Sequence, residues 1–247
     1  MDRMIYIGMA GAKQALEQQV SVANNMANAS TPGFRAQINS FRAIPVVGDE
    51  LPTRTFVTAI TPGADFSSGP LMPTGRPLDV AIRGEGWFAV MTPDGGEAYT
   101  RVGNLQVGAD GQVQTMAGLP MMGDGGALVV PPGSLVSVTD SGQVIAQAAG
   151  DLATGAAEVG RLKLVNPPNA DLERSDDGLF RLRAGAAAPQ ADPGVSLRSG
   201  VLEGSNVNPV EAMVAMISNA RRFEMQMKTL QTAEANDQQA NKLLSSS

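Results

Sequence analysis

The chain has 247 residues, room for one or two domains, and 43% of them are hydrophobic, enough for a core that rests on aliphatic side chains because aromatics make up only 4%. A net charge of -6, a pI of about 4.7 and no basic cluster larger than Arg221-Arg222 exclude a nucleic-acid footprint and make an anionic membrane surface a poor partner. With no Cys and no His, disulfides, thiolate catalysis, Cys-type metal sites and a Ser-His-Asp triad are all excluded.

The opening Met1-Asp2-Arg3 leads into a short apolar stretch, Met4 to Ala10, and then directly into Lys13-Gln14-Ala15-Leu16-Glu17 with no clean cleavage boundary. It reads as no secretory signal. No run of about 18 apolar residues occurs anywhere, so no segment reads as membrane-spanning.

Residues 3–29 have a helical pattern. Ile5, Met9, Ala12, Leu16, Gln19, Ala23 and Met26 alternate four and three apart, which is a heptad seam. Ser30-Thr31-Pro32-Gly33 ends it, since Pro32 pushes Thr31 out of helical geometry and Gly33 permits a sharp turn. Asn24, Asn25 and Asn28 crowd the end of this helix. Asn competes for backbone hydrogen bonds, so these residues serve either as caps or, from the shared face of Asn24 and Asn28, as amides that fix register against neighbouring helices.

Residues 34–75 show no clear period and are punctuated by Pro45, Pro52, Pro62, Pro70 and Pro73. They read as an extended connector, with Thr55 to Ile60 as one strand. Residues 76–206 read as β. Leu78 to Arg83 alternates, Trp87-Phe88-Ala89-Val90-Met91 is an apolar run, and Asp94-Gly95, Asp110-Gly111, Ser141-Gly142 and Asp177-Gly178 separate short runs in the manner of hairpin turns.

Gly84-Glu85-Gly86-Trp87-Phe88-Ala89 fits G-x-G-x-x-A, but a dinucleotide site needs a helix after the glycines, and the run from Trp87 to Met91 is β-like and stops at Pro93. Asp176-Asp177 and Asp49-Glu50 have no supporting partners and read as a turn and a solvated loop. The sequence therefore offers no catalytic, metal or cofactor residues.

Residues 207–247 return to a helical pattern. Asn208 is a good N-cap, Pro209 suits the first helical position, and Glu211 falls where a capping box places an acid. Met213, Met216, Ala220, Phe223, Met227 and Leu230 form its seam, with Ile217 beside them. Several seam positions on the two helices are only Ala or Gln, too little for a two-helix hairpin to offset the entropy of ordering both ends. Both ends are therefore expected to fold on assembly with neighbouring subunits.

Asn24 through Phe34, read as Asn-Asn-Met-Ala-Asn-Ala-Ser-Thr-Pro-Gly-Phe, closely resembles the N-terminal signature of the bacterial flagellar rod and hook proteins. Gly200-Val201-Leu202-Glu203-Gly204-Ser205-Asn206-Val207-Asn208, with Glu211-Ala212-Met213, Arg221-Arg222-Phe223-Glu224 and Lys228 to Ala233, is similar to the C-terminal motif of the same family. Pro77 to Ile82, Trp87-Phe88 and Tyr99 to Leu105 match the body, so the resemblance covers nearly the whole chain. The length and the start, Met1-Asp2-Arg3-Met4-Ile5-Tyr6, look most like the proximal-rod members, with the distal-rod members as near neighbours.

The resemblance implies an α+β chain whose terminal helices pair as a coiled-coil domain, with one all-β domain inserted between them. The boundaries are residues 1–33 and 207–247 for the helices, 34–75 for the connector and 76–206 for the β domain. It implies a structural, non-enzymatic subunit that transmits torque in the periplasmic rod. Its partners would be other rod proteins, copies of itself and the flagellar type III export apparatus, with no cofactor, no nucleic acid and no membrane insertion. The expected assembly residues are Ile5, Met9, Ala12, Leu16, Ala23, Asn24, Asn25, Met26, Asn28, Pro32, Gly33 and Phe34 at one end, and Met213, Met216, Ile217, Ala220, Phe223, Met227 and Leu230 at the other. Two other classes compete with it: a β-rich cell-wall enzyme, for which no carboxylate pair has a supporting context, and a coiled-coil adaptor of fixed stoichiometry.

Overall fold

The computed structural model describes residues 2–45, 55–148 and 156–245. Asp49, Glu50 and Pro52 lie outside the described residues. The chain is α+β and divides into two units. A helical unit takes Met1–Ala29, Gln37–Asp65 and Val207–Ser247, and a body takes Ser30–Ala36 and Phe66–Asn206.

In the helical unit, α1 (Asp2–Ala27) and α2 (Pro209–Ser245) run antiparallel, since Gly8 faces Leu230 and Gly11 faces Gln226. A Cβ on Gly8 would come 2.7 Å from Cδ2 of Leu230, so the glycine is what lets the helices approach. Ala12 and Ala15 continue this buried small-residue face. On α2, Ala212, Asn219 and Ala233 are buried, and Met216, Phe223, Gln226 and Leu230 partly so, a stripe spaced alternately four and three apart. Asn208 caps α2, its Oδ1 accepting from Val210 N at 3.0 Å and Glu211 N at 3.4 Å, with Pro209 as the first helical residue. At the other helix's end, Asn28 N reaches Asn24 O at 3.1 Å, and Asn28 Nδ2 reaches the same oxygen at 2.9 Å.

The segment read as an extended connector is largely strand. β1 (Gln37–Pro45) and β2 (Thr55–Ala64) form an antiparallel hairpin whose register runs from Gln37 opposite Ala64 to Pro45 opposite Thr55. The prolines that suggested irregular chain sit where a strand tolerates them. Pro45 ends β1, and Pro62 faces the register shift between Ile38 and Ser40, where a missing N–H costs no ladder bond. The hairpin is fastened to α1. Asn25 Nδ2 donates to Gln37 O at 2.9 Å and Gln37 N donates to Asn25 Oδ1 at 2.7 Å, while Ser21 Oγ and Asn39 Nδ2 bond Gln37 O and Glu17 O.

The body's strands in chain order are β3 (Leu71–Pro73), β4 (Val80–Arg83), β5 (Trp87–Met91), β6 (Glu97–Thr100), β7 (Leu105–Val107), β8 (Val113–Thr115), β9 (Met122–Gly123), β10 (Gly126–Ala127), β11 (Ser134–Val138), β12 (Gln143–Ala148), β13 (Ala157–Arg161), β14 (Leu164–Val165), β15 (Leu172–Arg174), β16 (Phe180–Leu182), β17 (Ser196–Ser199) and β18 (Val201–Glu203). The largest sheet has the order β14-β5-β6-β16-β15, and β11-β12-β13 forms another. The glycines of all four Asp-Gly or Ser-Gly turns have positive φ and join β5 to β6, β7 to β8, β11 to β12 and β15 to β16. Gly84 and Gly86 lead into β5, not into a helix. Pairing at the edges is long-range: β17 pairs with β4 and β18 with β3, so the last strands of the body close against its first. Val80, Ile82, Phe88, Val90, Leu105, Val144 and Leu197 lie in one buried core, and Phe66, Trp87 and Phe180 form an aromatic cluster beside it.

Candidate functional site

Two features of the molecule stand apart from ordinary packing: uncovered apolar stripes on the helices, and a buried ionic node in the body.

On α1, Tyr6, Met9, Leu16 and Val20 are exposed by half or more and share one side, about a third of a turn from the face that meets α2 and away from the hairpin. On α2, Val210, Met213, Val214 and Ile217 are likewise exposed and lie opposite the buried stripe. A helix apolar on opposite faces has one face too many for a single partner. The seam positions expected from the sequence divide between these faces. Met213, Ala220 and Met227 are exposed, while their neighbours Ala212 and Asn219 are buried and Gln226 partly buried. Met216, Phe223 and Leu230 are partly buried as a seam requires. On α1, Ala12 is buried and Met26 partly buried, whereas Met9, Leu16 and Ala23 face solvent. The side chain of Ile5 lies outside the described residues. Of the amides, Asn24 is exposed, Asn25 clamps the hairpin, and Asn28 bonds back to its own helix.

The node centres on Glu203, at the end of β18. Arg35 Nη1 lies 2.8 Å from one carboxylate oxygen and Arg101 Nη1 lies 3.1 Å from the other, with all three side chains 4% exposed or less. Gly69 N donates to Glu203 Oε1 at 3.0 Å, Arg101 Nη2 donates to Gly84 O at 2.7 Å, and the Arg101 guanidinium lies 5.4 Å from the centre of the Trp87 ring. Burial draws the Arg101 guanidinium down to about 10; Glu203 opposes that shift and the like charge of Arg35 adds to it.

Pro32, Gly33 and Phe34, expected on an assembly surface, belong to the body. Gly33 is buried at φ +69°, and a Cβ there would come 2.4 Å from the carbonyl carbon of Arg101. Its N–H donates to Glu203 O at 2.8 Å. Arg174 Nη1 donates to Arg35 O at 2.7 Å, and the same guanidinium sits 4.5 Å over the Phe34 ring. Asn206 completes the node: its Oδ1 accepts from Ala36 N at 2.7 Å, its N–H donates to Phe34 O at 3.3 Å, and its Nδ2 donates to Ser67 O at 3.0 Å.

Segments 33–36, 67–69, 101 and 203–206 thus meet at one carboxylate. The chain passes between the two units after residues 29, 36, 65 and 206, so every pass lies close in sequence to the node. Sequence reasoning singled out the motif that ends at Phe34, next to Arg35, and those containing Arg101 and Glu203, without joining them. The signal available was a lone carboxylate closing an apolar strand, Val201-Leu202-Glu203.

Nothing in this arrangement makes a reaction centre. The node is sealed and charge-paired, and no group of three or more potential metal-binding side chains occurs among the described residues.

Three family models match the chain. Residues 5–35 match the flagella basal body rod protein model, 81–146 the D1 domain of the flagellar hook protein FlgE/F/G, and 198–243 the C-terminal model of the flagellar basal body rod FlgEFG proteins. The chain is 54% identical to the flagellar basal-body rod protein FlgF of Salmonella typhimurium and 52% identical to that of Escherichia coli, over 100% of each chain in both cases. It is 31% identical to the flagellar basal-body rod protein FlgG of Buchnera aphidicola, over 86% of this chain and 88% of that one.

Proposed function

The chain belongs to the flagellar basal-body rod protein family, and from that premise we propose that it is a FlgF-like structural subunit of the rod, with no enzymatic role, that passes torque along the drive shaft. The observation that carries the mechanism is the pair of uncovered apolar stripes, Tyr6, Met9, Leu16 and Val20 on α1 and Val210, Met213, Val214 and Ile217 on α2. Apolar side chains aligned along a helix and left in water mark an interaction surface, and each gains about 1.5–3 kcal/mol on full burial.

In this reading α1 and α2 pair as a coiled-coil domain through Ala12, Met216, Phe223 and Leu230, and the body is the domain inserted between them. Neighbouring subunits, copies of the chain and other rod proteins, cover Ile5, Met9, Leu16, Ala23 and Asn24 on one helix and Met213, Ile217, Ala220 and Met227 on the other. Packed side chains of this kind resist sliding, because displacement along the axis lifts each knob from its hole. The flagellar export apparatus delivers the chain to the periplasm. The 54% and 52% identities to two FlgF chains, each over 100% of both chains, support the proximal position.

Leu16→Asp and Ile217→Asp test the stripes. Both side chains are at least half exposed, at 50% and 57%, so neither change opens a hole in the core. Each variant should keep the thermal transition of the body within about 2 °C of the parent, in line with the small cost of surface changes, and fail to restore motility to a strain lacking the protein. Normal swimming with either variant would sink the assembly role of these faces. Sedimentation of the purified chain as a single closed oligomer would favour the adaptor reading instead.

A further inference from the structure

The node has a property that stability alone does not explain. A carboxylate between two guanidinium groups, sealed from water, is a costly way to hold a fold together, and apolar side chains of similar volume often do as well or better. What such a trio supplies is conditionality. Arg35 and Arg101 stand in the first half of the chain, and the carboxylate that neutralises them sits at residue 203. The partners of β3 and β4 are equally late, since they are β18 and β17.

We infer that Glu203 is a folding gate: the body stays open until Glu203 enters between Arg35 and Arg101, and then closes in one concerted step. Before that step the two guanidinium groups would share a low-dielectric site with no counter-charge, which keeps segment 33–36 undocked. After it, the same residue is ion-paired with both cations and accepts from the Gly69 N–H through its side chain and from the Gly33 N–H through its backbone. Docking of the N-terminal strap and of the C-terminal strand is therefore one event.

The sole tryptophan, Trp87, reports it directly, because it packs against Arg101 as well as Phe66 and Phe180. Stopped-flow fluorescence on the full chain, refolded from urea by dilution, compares the parent with Glu203→Gln and with the neutral triple variant R35M/R101M/E203M. The gate requires that Glu203→Gln slow refolding at least tenfold and change the unfolding rate by less than threefold, since the trio is formed in the closing step. It also requires that the triple variant regain the parent's thermal midpoint to within a few degrees and refold severalfold faster than the parent.

If Glu203→Gln leaves the refolding rate alone and only speeds unfolding, the trio forms after closure and there is no gate. A triple variant that folds at the parent's rate or more slowly also overturns it. Should the triple variant not fold, the Glu203→Gln rates decide the matter alone.

Discussion

Tyr99, two residues before Arg101, is 1% exposed, and its phenol is pushed well above the ordinary value of 10.0, first by burial and then by the charge and hydrogen bond of Glu97. The folded state therefore prefers the neutral phenol. The stability this group contributes is present below about pH 10, the unfolded value, and is lost as the pH rises beyond it. The chain has two tyrosines, so Tyr6→Phe leaves Tyr99 as the only phenol. In that variant the rise in absorbance at 295 nm should coincide with loss of the far-ultraviolet dichroism of the strands. Ionisation of Tyr99 in a chain that is still folded would show that the ring is not sealed. At this scale the sequence was legible where chemistry is local. The glycines of all four turns adopt positive φ because only glycine does so freely, and Asn208 caps because its side chain reaches its own helix. Glu203 and Arg101 are 102 residues apart, and nothing within a single chain's pattern links two charges so distant.

Among the elements, the hairpin is legible only in part, as the strand from Thr55 to Ile60, and the reason lies in what stabilises it. Two strands alone are marginal in water; this pair is held by α1, through side chains that looked like helix caps. Asn25 forms a two-bond clamp on the backbone of Gln37, much as a neighbouring strand would. Asn25→Ala removes both bonds, leaving the Gln37 carbonyl with the Ser21 hydroxyl and its N–H without the amide, at a cost of about 1–3 kcal/mol. Hydrogen exchange should then speed up over β1 and leave the strands of the body unchanged. Uniform speeding in both units would contradict a clamp local to the helical unit. The seam positions divide between two faces for a related reason. α2 carries apolar side chains on opposite faces, and a periodic count drawn through both picks Met213, Ala220 and Met227, one position round from the buried residues. The three positions common to both patterns, Met216, Phe223 and Leu230, are partly buried.

For the molecule as a whole, the order of elements was legible: helix, strands, helix, with an α+β class. That order comes from periodicity, which changes from about 3.6 to about 2 and back. The place of the hairpin in the helical unit was not, because it depends on which segments the chain brings back together. The two units also differ in what holds them. The body has a continuous buried core of aliphatic side chains. The helical unit relies on Gly8, Ala12, Ala15 and a thin stripe of α2, with much of its apolar surface still in water. In the free subunit, exchange should be fast along α1 and α2 and slow across β4, β5 and β6, with protection of both helices appearing on assembly. Helices as protected in the free subunit as the body would remove the case for ordering on assembly.

Within the body, segments 33–36, 67–69, 101 and 203–206 are moored around one sealed carboxylate and the asparagine three residues after it. The same economy makes the knot a point of vulnerability: a change that loosens Glu203 slackens several stretches of chain, far apart in sequence, at once.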